Sequence, residues 1–383
     1  MLVSLIGSWI QTMAQSWLVF QITNSAFLLG LVGFLGSIPV FFLSLFAGVL
    51  ADRVNKRKIL IVTQCVFMFL AFLLAVLTQL KWITASQIMA IALLNGIVMA
   101  FDAPTRQAIV VELSGKQHLF NAIVLNSVAF NSSRIIGPAL AGILVAVAGM
   151  SGCFYVNGIS FLAVIVALFL IRVENEKVIK KKNHALKDLK EGLVFIKNNR
   201  DILILISMVG VVSLFGVSYM ILMPVFAEQV LKVGIKGLGM LMSFSGLGAL
   251  AGALTLARLG NFKYKGRLLN FSALIFSFAL IVFSLSKIYL LSLITLALIG
   301  ATGVTSIALV NTVIQTKVGD EFRGRVMSIF MLTFAGFLPF GNLIAGSMAQ
   351  RLGASTCVLI SGIICALFFS AVNVIYPKIR YLN

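Results

Sequence analysis

The chain reads as an all-α membrane protein with twelve transmembrane helices in two pseudo-symmetric six-helix bundles. Three observations carry that reading. First, 60% of its 383 residues are hydrophobic and only 11% are charged, against roughly 45–50% and about 25% in an average soluble domain. Second, a bilayer-spanning helix takes ~20 apolar residues, so twelve need about 240, close to the whole apolar supply. Third, a shift of 204 residues matches one long stretch of the chain to another without a gap: Gly137, Ala141, Gly142, Gly149, Cys153, Gly158 and Ile159 fall on Gly341, Ala345, Gly346, Gly353, Cys357, Gly362 and Ile363. Gly96 falls likewise on Gly300, and Phe130 on Phe334. This composition excludes a water-soluble enzyme, and it excludes disorder, which requires low hydrophobicity.

Apolar runs bounded by charges or turn residues place the spans at 1–22, 28–50, 58–80, 84–104, 120–148, 152–172, 201–227, 235–258, 267–286, 289–312, 326–350 and 353–376. Lipid offers the backbone no hydrogen bonds, so each span is a helix or a strand of a closed barrel. Barrel strands would alternate over ~10 residues, which these continuous runs do not. The chain divides into an N-terminal bundle (1–172), a linker (173–200) and a C-terminal bundle (201–383). Parallel repeats of this kind place a binding site between the halves and suit a transporter; a duplicated structural bundle would show the same pattern.

The first span starts without a basic segment or a small-residue cleavage site, so it is expected to be an uncleaved transmembrane helix. Ser4, Ser8, Gln11 or Thr12, and Gln15 share one stripe, flanked by Trp9 and Trp17. Gln11 and Gln15 are candidate substrate contacts or interhelical hydrogen-bond partners. The second span ends at Gly48, which would let another helix come close, followed by Asp52, Arg53, Lys56 and Arg57. In the fourth span Asn95, Met99, Asp102 and Arg106 repeat at helical spacing, and Ser127, Asn131, Arg134 and Pro138 do so in the fifth. A mid-bilayer arginine costs at least ~2.5 kcal/mol, so Arg134 is expected to face a cavity, paired or hydrated. Asp102 is the one acid plausibly near it. Either Arg134 attracts an anionic group of a substrate, or Asp102, Arg106 and Arg134 form a polar network joining the two spans. Asn157, Thr305, Asn311 and Asn342 are further polar candidates.

The linker opens with Lys180-Lys181-Lys182. It then places Leu186, Leu189, Leu193 and Ile196 on one stripe, with Lys187, Lys190 and Lys197 off it. That pattern predicts an amphipathic helix on the membrane surface, serving as a tether or as a regulatory segment. The net charge of +19 does not point to nucleic acid, because the basic residues sit between apolar spans rather than on a water-facing patch. With the loop after the second span in the cytoplasm, the outer loops hold only Lys81, Lys232, Lys236, Lys287 and Arg351 of the 30 Lys and Arg, and Arg134 lies inside a span. The positive-inside rule then puts both termini in the cytoplasm. The four cysteines lie in apolar spans without paired spacing and read as small core residues. His118 and His184 fall in loops. The sequence contains no metal-ligand cluster, nucleophile elbow or phosphate loop, which argues against an enzyme, a metal, a cofactor or an ATP-driven pump.

The segment Gly48 to Leu60, with Asp52, Arg53, Lys56 and Arg57, resembles the cytoplasmic loop signature of the major facilitator superfamily. Gly137-Pro138 and Gly142 resemble the antiporter signature of its export branches. Gln11 to Leu18, Phe101 to Ala108, Leu119 to Ala122 and Phe322 to Ser328 resemble the branch of the enterobactin exporter and its macrolide- and multidrug-efflux relatives, and the likeness covers nearly the whole chain. It implies the major facilitator fold, a cavity lined by the first span, a cytoplasmic gate in which Asp52 and Arg57 latch the halves, and a fifth span that bends at Gly137, Pro138 and Gly142. Asn55 stands where the family has glycine and is expected to adopt the left-handed conformation, which Asn tolerates. The resemblance further implies an exporter of amphipathic small molecules in the cell inner (plasma) membrane, driven by proton antiport; a monomer is expected, and Asp102 is the candidate titrating group. The alternatives are an exporter of a siderophore or other anionic metabolite, which would suit Arg134, and a non-transporting membrane sensor or scaffold.

Overall fold

The computed structural model describes residues 1–171, 185–260 and 262–382; the side chains of residues 45, 49, 51–53, 116, 120 and 185–188 fall outside the description. The expected Lys180-Lys181-Lys182 run and His184 lie outside the described residues, as do the side chains of Leu186 and Lys187.

Helix α1 (Leu2–Thr23) stops where Asn24 turns left-handed at φ 49° and its N–H bonds Phe20 O. Ser25 caps α2 (Ala26–Arg53), its hydroxyl accepting from Leu28 N. Asn55 caps α3 (Lys56–Gln79), its Oδ1 accepting from Lys58 N at 3.2 Å. The expectation for Asn55 is thereby corrected: φ is −58°, and the residue serves as an N-cap, where a short carbonyl side chain satisfies an orphan N–H.

The run Ala85–Leu170 is helical except at Gly115 (φ 59°, ψ 173°) and Gly149 (φ 69°, ψ −177°). These two glycines divide it into α4 (85–114), α5 (116–148) and α6 (150–170). Helix α4 therefore continues well past the expected end at 104 and carries Arg106 and Glu112 on its surface. The apolar window marks the hydrocarbon thickness, whereas the helix persists into the polar region until a glycine breaks it.

Beyond the linker come α7 (Ala185–Asn198), α8 (Arg200–Val230), α9 (Gly234–Leu259), α10 (Lys265–Leu285), α11 (Tyr289–Lys317), α12 (Asp320–Leu352), α13 (Ala354–Ile375) and a 3₁₀ turn, Pro377–Tyr381. Twelve long helices and one short amphipathic helix thus account for the described chain. The winding of α8 is uneven. Its α-turns give way to π-turns at Val212–Gly216, 3₁₀-turns at Ser218–Leu222 and π-turns again at Phe226–Val230, around Pro224, which has no N–H to donate.

Two compact units form. The first holds α1–α6 with Gly234–Ser243 of α9, and the second holds α7, α8 and the chain from Phe244 onward. The sequence repeat reappears as repeated contacts inside them. In the first unit Cys153 Sγ lies over Ala141 O; in the second Cys357 Sγ lies over Ala345 O. A Cβ on Gly137 would meet Trp9 and Ile6 of α1, and one on Gly341 would meet Ser213 and Leu214 of α8. Trp9 packs edge-on against Phe130, and Ser213 donates to Phe334 O; both pairs are related by the same shift. Gly149 and Gly353 (φ 85°, ψ 153°) make the same sharp turn between their helices. Gly96 and Gly300 both sit against neighbouring backbone, Gly36 O and Ser245 O.

Helix α7 forms where the spacing predicted it, but α12 takes part of its apolar stripe. Ile196 is buried, Gly192 fits against Ile329 and Arg325, and Phe195 stacks on Phe322 with ring centroids 4.6 Å apart. Glu191 pairs with Arg325 at 2.9 Å. Leu193 and Val194 stay exposed. Cys65 also departs from expectation: it is exposed on α3, while the other three cysteines are buried.

Candidate functional site

Helices α3, α4 and α6 bring the charged residues of the first unit together. Asp102 is 1% exposed. Its Oδ1 accepts from Thr63 Oγ1 at 2.8 Å and Gln64 Nε2 at 2.7 Å, and its Oδ2 accepts from Arg106 Nε at 3.0 Å and Nη2 at 2.6 Å. The i, i+4 spacing on α4 sets the ion pair, and Arg106 keeps partial access to water. Asp102 is matched to Arg106, one turn on, and Thr63 and Gln64 reach it from α3.

The cytoplasmic gate residues are likewise engaged inside their own unit. Arg57 donates from Nε to Leu168 O (2.6 Å) and from Nη2 to Phe169 O (2.9 Å). It therefore caps the C-terminus of α6, where orphan carbonyls and the helix dipole favour a cation. Lys56 pairs with Glu112 of α4 at 2.8 Å. Beneath these charges Leu60, Ile109 and Leu168 form a small apolar cluster. Asp52 and Arg53 occupy the last turn of α2, and their side chains lie outside the description. No described atom comes within 4 Å of a Cβ placed on Gly48.

A second polar cluster joins α1 to α6. Asn157 Nδ2 donates to Gln11 Oε1 at 2.6 Å, and Ser160 bonds Asn157 through its carbonyl and amide oxygens. Gln11 and Asn157 are both buried. Gly7 makes the approach possible, since a Cβ there would stand 2.6 Å from Asn157 Oδ1. Of the two roles open to Gln11, the structure displays the interhelical bond; Gln15, one turn on, is half-buried.

On α5 the predicted stripe runs from exposed Ser127 through half-buried Asn131 and Arg134 to buried Pro138. Asn131 Nδ2 bonds Ser127 O in its own helix. Around Pro138 the packing is tight. Gly137 abuts α1, Gly142 abuts Ile235 and Lys236, a Cβ on Gly239 would lie 2.5 Å from Pro138 O, and Ser243 donates to Ile135 O at 2.7 Å. The glycines thus serve close packing, and the backbone dihedrals of α5 stay helical through Pro138. In the second unit Thr305 and Asn311 are half-buried on α11, and Asn311 accepts from Gln315.

The sequence profile of a family described as transmembrane secretion effector matches residues 1–383. The chain belongs to that family, a branch of the major facilitator superfamily. Among the relatives of this chain, the Staphyloferrin A transporter of Staphylococcus aureus is 30% identical, over 94% of this chain and 90% of that protein. Macrolide efflux protein A of Streptococcus pyogenes is 23% identical over 95% and 91%. A solved structure of a bacterial homolog of the human lysosomal transporter Spinster, inward-facing and unoccupied, shares the fold. Its TM-score is 0.75 at 14% identity, with 99% of this chain and 97% of that one covered. The chain is therefore a multi-span membrane transporter by family, and its relatives include efflux proteins, as its motifs implied.

Sequence reasoning missed two features of this protein. One is the role of Thr63 and Gln64, adjacent polar residues in an otherwise apolar span, which was the available signal. The other is a cluster in the second unit, where Asp201 accepts from Lys317 at 2.5 Å and from the Tyr376 hydroxyl while Arg200 stacks on the Tyr376 ring. The Asp201 carboxylate holds the Tyr376 phenol above the usual tyrosine range. These residues join three helices far apart in sequence, and nothing local marks them.

Proposed function

We propose that this protein is a secondary active exporter of amphipathic small molecules, alternating between inward- and outward-facing states and driven by proton antiport. It works as a monomer in the cell membrane with both termini in the cytoplasm. The observation that carries the reading is the internal repetition: two units reuse the same contacts at a fixed shift, the architecture on which two halves rock about a shared site, in a chain whose relatives include a macrolide efflux protein. Asp102, buried and within reach of three donor side chains, is the coupling group, and no metal or organic cofactor takes part.

A second reading has its own support. Arg134 places a cation in the fifth span, and the relative at 30% identity is the Staphyloferrin A transporter; both favour an anionic cargo such as a siderophore. The two readings separate in an efflux assay with a substrate panel in a host lacking its own pumps. Extrusion of cationic and neutral drugs supports the first, and extrusion confined to carboxylate-rich molecules supports the second. Proteoliposomes that show no flux of any panel member would remove both and leave a sensor or scaffold.

A further inference from the structure

Arg267, in the first turn of α10, is held in place without being neutralised. Its side chain is exposed. The guanidinium carbon lies 5.0 Å from the centre of the Tyr264 ring and 5.7 Å from that of Tyr381. Among the described residues it makes no hydrogen bond and no salt bridge. Contact with a ring face orients a guanidinium and leaves its N–H donors to water or to a ligand.

The hold comes from two segments far apart in sequence. Gly266 N donates to Leu382 O at 2.8 Å, and a Cβ on Gly266 would collide with Ile379 O. Ile379 and Leu382 are buried, so the turn Pro377–Tyr381 lies against the start of α10 and carries the Tyr381 ring to Arg267. Arg380 Nε fixes the same turn to α13 through Asn373 Oδ1 at 3.1 Å. Residues 262–268 and 373–382 contain Lys263, Lys265, Arg267, Lys378 and Arg380 and no Asp or Glu. Lys265 is buried and donates to Phe262 O; Lys263, Lys378 and Arg380 are exposed. The surface is therefore complementary to an anion.

Below Arg267 the exposed face of α10 turns apolar. Phe271, Leu274 and Phe278 follow it at i+4, i+7 and i+11, and the two phenylalanines are each 65% exposed. The other face, with Leu269, Ala273, Phe276 and Leu280, is buried. Eleven residues rise about 16 Å along a helix, roughly half of a ~30 Å hydrocarbon core. A cation between tyrosines, above an apolar stripe one leaflet deep, matches a phosphate headgroup with an acyl chain beneath it.

We infer that Arg267, clamped by Tyr264 and Tyr381, binds the phosphate of an anionic phospholipid whose acyl chain lies along Phe271, Leu274 and Phe278. The five cations favour a net negative headgroup over a zwitterionic one. The site holds for any cargo and any driving ion.

The test is native mass spectrometry of the full chain released from detergent micelles and titrated with phosphatidylglycerol, with phosphatidylcholine for comparison and glycerol 1-phosphate as competitor. Phosphatidylglycerol should bind more tightly than phosphatidylcholine, and glycerol 1-phosphate should not displace it. Arg267→Ala should weaken binding about tenfold, the scale of a lost charge-assisted contact. Arg267→Lys and Tyr381→Ala should weaken it less, and Lys287→Ala, beyond the opposite end of α10, should leave it unchanged. Equal binding of the two lipids, or undiminished phosphatidylglycerol binding by an Arg267→Ala chain that unfolds as the parent does, overturns the inference. Displacement by glycerol 1-phosphate overturns it in favour of a soluble phosphate. A concentration-dependent dimer that Arg267→Ala abolishes overturns it in favour of a second copy of this chain.

Discussion

Alanine substituted at three glycines should change stability in three different ways, and the structure sets each sign. Gly149 has φ 69° and ψ −177°, and a Cβ there would meet no atom within 4 Å. The cost of Gly149→Ala is therefore purely conformational, about 1–3 kcal/mol for a side chain forced into a glycine-only region. Gly48 also has open space around its Cβ position, but it lies inside helix α2. There alanine relieves the entropic penalty of glycine and should stabilise by roughly 0.5–1 kcal/mol. Gly248 is helical too, yet its Cβ would fall 1.8 Å from Ala297 O. Backbone cannot step aside as a side chain can, so α9 and α11 must separate, and a loss of ~1–3 kcal/mol or more is expected from overpacking. Reversible unfolding in mixed detergent micelles, followed by tryptophan fluorescence, gives all three values. A neutral or stabilising Gly149→Ala would refute the left-handed turn between α5 and α6. A harmless Gly248→Ala would refute the backbone contact between α9 and α11.

Three further outcomes are expected. Asn157→Leu should strand the buried Gln11 carbonyl and cost about 1–3 kcal/mol in the same unfolding assay, and adding Gln11→Leu should recover part of that loss. Arg134→Ala should abolish export while membrane expression, read by blot of the membrane fraction, stays at the parental level; unchanged export would remove Arg134 from the site. Arg106→Gln should weaken the α4 pair and destabilise by roughly 1–3 kcal/mol, and Asp102→Asn in the same chain should not add a second full loss, which a double-mutant cycle measures.

Much of the fold was legible because lipid imposes few solutions. Continuous apolar runs can only be helices, and the glycines that fall on glycines across the repeat proved to be the residues at close helix crossings and sharp turns. Helix ends were less legible, since hydropathy reports where the hydrocarbon stops and Arg106 with Glu112 continue α4 beyond it. Asn55 shows a different difficulty. The same side chain suits a left-handed turn and an N-cap, and the helical pattern that follows from Lys56 was the deciding clue. The site was half legible. Asp102 and Arg106 are marked by their spacing, but Thr63 and Gln64 reach them from another helix, and only the tertiary packing of α3 on α4 joins the two. Nothing in the sequence of α8 apart from Pro224 signals its π- and 3₁₀-turns, while its repeat counterpart α1 is regular throughout.

Arg57 illustrates how a postal code can become masonry. During synthesis a cation at that place is counted by the insertion machinery, which decides the side on which the loop stays. Once the helices have assembled, the same guanidinium is consumed by the carbonyls of Leu168 and Phe169. A defect in an Arg57 variant therefore has to be dated, as faulty delivery or faulty assembly, before it is attributed to either.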